Sequence, residues 1–219
     1  MKDLIIIGAS GFGREVAWLV ERINAQEPTW KLLGFIDDNQ SIQGKHINGY
    51  AVLGTTSAIA DYPDAYLVCA VGAAKVRKSI IERIKENYNV KFATLIDPSV
   101  ERSDCLNIGA GSIICAHSIL TVNIEIGNHV IINLDCTVGH DAKLKDYVTV
   151  YPSVNVSGNV LIGECVELGT GTQIIQGKEI GSETIVGAGA VVVKDLPAKC
   201  TAVGSPARPI KFFDGEEKE

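Results

Sequence analysis

The sequence predicts two successive domains, a small α/β domain over residues 1–95 and a parallel β-helix over residues 96–219. Two observations carry that prediction. The amino-terminal part alternates short apolar runs with helix-period patterns, as a mainly parallel sheet with crossover helices requires. From Ile96 to Val192 an aliphatic residue returns at every sixth position but that of Arg102, in one unbroken register. A helix repeats at about 3.6 residues and a half-buried strand at about 2, so neither produces a beat of six.

Taken in order, KDLIIIG reads as a strand, the segment REVAWLVERI after Gly13 as an amphipathic helix, and WKLLGFID as a second strand. AYLVCAVG then precedes the helix-like VRKSIIERIKENY, and FATLID leads into the repeat. Between the first strand and its helix, GASGFG offers glycine N–H groups and a helix amino terminus to a phosphate. Its spacing is GxxGxG, not the dinucleotide GxGxxG, so the motif says little alone. Asp37 and Asp38 close the second strand, about where a Rossmann-like domain places a ribose or base contact. A polar turn at a strand end would use the same residues.

The hexad positions run Ile96, Arg102, Ile108, Ile114, Leu120, Ile126, Ile132, Val138, Leu144, Val150, Val156, Ile162, Leu168, Ile174, Ile180, Val186 and Val192, aliphatic at 16 of 17. The fifth position of each hexad is small or apolar, with Lys178 the one charged exception. The second is glycine in seven hexads, from Gly109 to Gly187, which predicts corners whose backbone a Cβ would penalise. Such a chain buries its inward side chains only by stacking coil on coil. With three hexads per coil the stack is just under six coils, roughly 27 Å tall at about 4.8 Å per layer.

The bulk numbers exclude several classes. A length of 219 residues, 46% hydrophobic and 21% charged, is ordinary for a soluble protein. A net charge of -6 and a pI near 5.3 argue against a basic nucleic-acid surface. The apolar LIII run is too short for a signal h-region or a membrane span, which predicts a cytoplasmic protein. Cys69, Cys105, Cys115, Cys136, Cys165 and Cys200 form no CxxC pair, so free thiols and no cysteine-based metal site are expected.

One polar pair interrupts the beat. His140 is third in the hexad of Val138, and the residue one coil on is Gly158, which leaves room and a backbone N–H beside the imidazole. Histidine titrates in the range a general base needs. Asp141 is placed to orient it only if the chain turns there, because adjacent strand residues point to opposite sides. The plainer reading is a surface histidine with a solvated neighbour.

GASGFGREV, FIDD, AVG before a helix, the hexads, the GHD triplet and the closing AVGSPARPIK together resemble one family across nearly the whole chain. It is the family of bacterial acyltransferases that acetylate nucleotide-linked (UDP-) 4-amino sugars, with sialic acid O-acetyltransferases as close relatives, in the hexapeptide-repeat superfamily. The resemblance implies a left-handed coil, a homotrimer, acetyl-CoA in a groove between subunits, no metal, and a nucleotide sugar on the first domain. It implies His140 as base with Asp141 beside it, and Asn133 near the sugar amine. Ser10, Gly11, Phe12, Asp37, Asp38 and Gly72 become nucleotide-sugar contacts. Members often carry histidine where Phe12 stands, so the sugar or nucleobase need not be the usual one. A pantetheine arm lying along the stack should meet contacts 18 residues apart, as Thr170 and Ala188 are, with Gly158 and Thr149 nearer the thioester.

Three other readings compete. A sugar hydroxyl would serve the same base as acceptor. A non-catalytic nucleotide-sugar-binding scaffold would use the β-helix only to oligomerise. A zinc hydratase would need His117, His129 and His140 together, yet their hexad positions, fourth, fourth and third in alternate hexads, put them on three different faces.

Overall fold

The structure is a computed structural model that describes residues 1–213; residues 214–219, the end of the expected second domain, lie outside the described residues. Its two compact units divide between Pro98 and Ser99. Ile96 opens the hexad register but falls in the first unit, where α1 (Gly11–Gln26) contacts the Leu95–Ile96 strand and Leu95 is fully buried.

The first unit is built from β1 (Lys2–Ile7), α1, β2 (Trp30–Ile36), β3 (His46–Ile47), β4 (Tyr50–Gly54), β5 (Tyr66–Cys69), α2 (Ala74–Asn87) and β6 (Lys91–Phe92). Its sheet order is β3-β4-β2-β1-β5-β6, parallel except for the β3–β4 hairpin. That hairpin turns at Asn48 and Gly49, both at positive φ, the pair such a turn favours. Leu4 to Ile7 are buried on both faces of the sheet, which explains an uninterrupted apolar run in place of alternation. The chain winds outward from β1 in both directions, so a crevice opens beyond the carboxyl ends of β1, β2 and β5.

The helix α1 begins at Gly11, three residues before the REVAWLVERI pattern suggests, and buries Val16, Ala17, Leu19 and Val20. Gly13 is no helix breaker here. A Cβ on it would overlap the carbonyl of Gly8, so glycine lets the first helical turn approach the end of β1.

The second unit is a left-handed parallel β-helix. Short strands stack into three sheets, and partners are 18 residues apart: Leu120 with Val138 and Val138 with Val156 on one face, Ile126 with Leu144 on the next, Ile114 with Ile132 on the third. From Ile114 to Val192 every first-position side chain of the hexad is buried. The fifth positions from Ser112 to Leu196 join them in the core, Lys178 excepted, and where they are Ser or Thr the hydroxyl donates to a corner carbonyl, as Ser118 does to Asn133 at 2.9 Å. At the carboxyl end, Cys200–Val203 extends the third face in parallel and Arg208–Phe212 closes it antiparallel. Among the described residues no helix is long and apolar enough to cross a membrane.

The corners differ from expectation. The left-handed residue is the fourth of the hexad, not the second: His117, Asn123, His129, Asp135, Asp141, Tyr147, Ser153, Asn159, Cys165 and Glu183 all have positive φ. The second-position glycines answer a different demand. A Cβ on Gly139 would lie 2.5 Å from the amide nitrogen of Gly158, so glycine there lets one coil settle onto the next.

Candidate active site

The strand Thr137–Val138 ends at a corner made by Gly139, His140, Asp141 and Ala142, with Ala142 in the core. Stacking fixes this corner from both sides: the Asp141 N–H donates to Val122 of the preceding coil at 3.1 Å, and the Asn159 N–H of the next coil donates to the His140 carbonyl at 2.7 Å. Asp141 has φ +61°, the local turn that an interacting His–Asp neighbour pair requires. The carboxylate therefore folds back to its neighbour, and His140 Nδ1 lies 2.8 Å from Asp141 Oδ2.

The second oxygen, Oδ1, accepts from Asn123 Nδ2 at 3.3 Å. The bond to His140 first, and the Asn123 amide second, hold the Asp141 carboxyl below its ordinary value, so it is anionic throughout the neutral range. An anion facing Nδ1 assigns the imidazole proton to that nitrogen and leaves Nε2 with its lone pair. Nε2 is on the ring edge above Gly158. A Cβ on Gly158 would overlap Nε2, Cε1 and Cδ2, so the space expected beside the imidazole is filled by the ring itself. Both side chains of the pair are about half exposed, at 52% and 51%.

The remaining residues assigned to this half of the chain do not all meet His140 in one protomer. Asn133 sits at the preceding corner of the same coil, 9% exposed, with Oδ1 accepting from the Leu134 N–H at 2.7 Å. Thr170 and Ala188 lie on that same edge one coil apart, where the Gly189 N–H donates to Thr170 at 2.8 Å. Thr149 belongs to the third face and is 1% exposed. His117, His129 and His140 occupy three different edges, and the buried His129 stacks on Tyr147 with centroids 5.3 Å apart. Among the described residues no group of three or more His, Cys, Asp or Glu is placed to hold a metal.

In the first unit, a pocket of about 160 Å³ opens at the crevice and is lined by Ile7, Gly8, Ile36, Asp37, Asp38, Thr56, Val71 and Ile80. Asp37 ties two segments together, accepting from the Ala9 N–H and the Asn39 N–H, each at 2.9 Å. Asp38 accepts from the Thr56 N–H and hydroxyl, both at 2.8 Å, and from Arg83 at 3.0 Å. The Thr56 amide is the main reason its carboxyl is held below the usual range. Ser10, Gly11 and Phe12 open α1, and Gly72 follows β5; none of the four lines the pocket. The loop of Gly72 is braced by buried Arg77, whose Nη1 donates to Val71 at 2.7 Å and Gly72 at 2.9 Å.

Thr56, Arg83, Arg77 and Asn123 are not singled out by the sequence. The first three act through contacts that no local pattern announces. Asn123 was within reach, since it stands one coil before Asp141 in the hexad register.

Comparison with known proteins agrees with this architecture. The PglD N-terminal domain family matches residues 3–84. Over 214 residues the chain is 34% identical to GDP-perosamine N-acetyltransferase of Escherichia coli O157:H7, covering 94% of this chain and 95% of that protein. The acetyltransferase domain of PglB from Neisseria gonorrhoeae, solved with acetyl coenzyme A, matches with a TM-score of 0.88 at 34% identity over 95% of this chain and 99% of that one. A histidine-to-asparagine variant of perosamine N-acetyltransferase from Caulobacter crescentus, solved with CoA and GDP-perosamine, matches at 0.85 and 28% over 96% and 98%. Each of these matches covers more than nine-tenths of the chain and so both units, and on that ground the chain belongs to the bacterial sugar N-acetyltransferases of the hexapeptide-repeat superfamily.

Proposed function

We propose that the protein transfers acetyl from acetyl-CoA to the 4-amino group of a nucleotide-linked sugar, with His140 as general base. The observation that carries this reading is the His140–Asp141 bond of 2.8 Å at a corner that leaves Nε2 as the ring's acceptor. An amine attacking a thioester must lose a proton as the C–N bond forms, and Nε2 accepts it. The imidazolium so formed faces the Asp141 carboxylate, and it returns the proton to the departing CoA thiolate. The Gly158 N–H, with no acceptor among the described residues, is a donor available to the tetrahedral oxyanion.

The nucleotide sugar is assigned to the first unit, with Ser10, Gly11, Phe12, Asp37, Asp38 and Gly72 around the crevice and Asn133 toward the amine. Acetyl-CoA is assigned to Gly158, Thr149, Thr170 and Ala188. Because Gly158 shares an edge with His140 while Thr170 and Ala188 stand on another, this set completes a groove only between copies of the chain. Ile119, Val122 and Ile175 support a homotrimer closed around the His140 edge, being 41%, 44% and 43% exposed there.

Release of CoA thiol from acetyl-CoA, measured with GDP-perosamine and a panel of UDP-linked 4-amino sugars, tests the reaction. Turnover with at least one amino sugar is expected. Binding of the nucleotide sugars without thiol release from any would make the protein a scaffold, and release with a sugar hydroxyl alone would make it an O-acetyltransferase.

Asp141→Asn is expected to lower kcat by about tenfold, less than loss of His140 itself. A neutral neighbour stabilises imidazolium less, so the acidic limb of the kcat/KM profile should move to lower pH. A limb that stays in place would make Asp141 a bystander.

A further inference from the structure

The Asp141 carboxylate is held at both oxygens, and only one of its partners is the histidine. Oδ2 meets His140 at 2.8 Å, while Oδ1 takes the Asn123 amide from the coil before it at 3.3 Å. Asn123 and Asp141 are equivalent fourth-position residues, one coil apart and both left-handed, at φ +56° and +61°. That conformation does not itself demand asparagine. Elsewhere the same position carries His117, Tyr147, Ser153, Cys165 and Glu183.

We propose that Asn123 is a positioning residue of this site: its amide stops the Asp141 carboxylate from rotating, and the fixed carboxylate sets the plane and tautomer of His140. This rests on the reading of His140 as the base. An aspartate side chain at a half-exposed corner is otherwise free to turn toward water, which would leave Nδ1 without a fixed acceptor. The neutral donor suits the task, because it binds the anion without competing with imidazolium for its charge.

The neighbouring charges do not substitute for it. Lys143, on the strand after Asp141, is paired with Glu125 at 2.8 Å. Asn159, the equivalent residue one coil further on, is neutral and uses its backbone N–H on the His140 carbonyl. On the other side, Asn123 shares a recess with Asp104, Cys105 and Glu125, and among the described residues lining it none is a Lys or Arg.

Asn123→Gly deletes the amide while keeping a residue at ease with positive φ. It is expected to lower kcat about fivefold, the size of one exposed charge-assisted hydrogen bond, with KM for acetyl-CoA unchanged. The decisive measurement is the double variant with Asp141→Asn. If Asn123 acts through the carboxylate, Asn123→Gly should cost nothing further in that background. Asn123→Asp, nearly isosteric, adds a second anion beside the pair and should move the acidic limb of kcat/KM upward by on the order of half a pH unit.

Equal losses from Asn123→Gly in both backgrounds, or an unmoved limb in Asn123→Asp, would reduce Asn123 to a corner residue and leave the His140 reading standing. Full activity of Asp141→Asn alone would remove the carboxylate from the mechanism and this proposal with it.

Discussion

Replacing His140 by alanine is expected to lower kcat by about a hundredfold or more while leaving the affinity for acetyl-CoA nearly unchanged. The imidazole is half exposed at its corner, and its ring makes one polar contact, to Asp141. Its removal therefore leaves no cavity in the stack, and the coil bonds around it run through backbone groups of Val122, Asp141, His140 and Asn159. A fall in kcat with normal melting and normal thioester binding would locate the loss in proton transfer. Steady-state kinetics together with equilibrium binding of acetyl-CoA make the check. Retained turnover at neutral pH would remove His140 from the mechanism.

Gly158→Val is expected to abolish transfer for a different reason. The residue is one coil from His140, and the ring lies where a side chain at 158 would begin. Nothing in the backbone resists the substitution, because Gly158 is not among the positive-φ residues. The atoms in the way belong to the free end of a half-exposed side chain, so the imidazole swings outward and the core is spared. Loss of transfer, weaker acetyl-CoA binding and an unchanged sedimentation coefficient are expected together. The alanine variant should already displace the ring, since a single Cβ is enough for the overlap. Full activity in a folded valine variant would contradict the coil neighbourhood of His140 and Gly158.

The β-helix was legible in the sequence because its core is written once per hexad: an inward side chain can only stack on an equivalent one 18 residues away, so burial and period are the same fact. The strands fall at the sixth and first positions of successive hexads, as Thr137–Val138 and Asn155–Val156 show. The corners were less legible. Glycine at the second position looked like a dihedral requirement, yet Gly139 is there for close approach, and the left-handed residue two places later takes almost any side chain. In the first unit, β3 and β4 were passed over although INGY carries an Asn-Gly turn. Asp37 and Asp38 read equally as ligand groups or as a polar turn, and the sequence does not announce that they also brace the loop at Ala9 and the turn at Thr56. Those bonds join residues far apart in sequence, and no local pattern encodes them.

The stacking register also sets a unit of length for evolution. Side chains of one column, such as Val122, His140 and Gly158, can be separated only by whole coils, each adding about 4.8 Å. Gaining or losing one complete turn of chain would keep every inward residue inward above the change, whereas a shift of a single residue would turn the whole remaining column away from its partners. Reach along this molecule is therefore adjustable in steps and never continuously, so drift in length near His140 is either silent in register or ruinous to it.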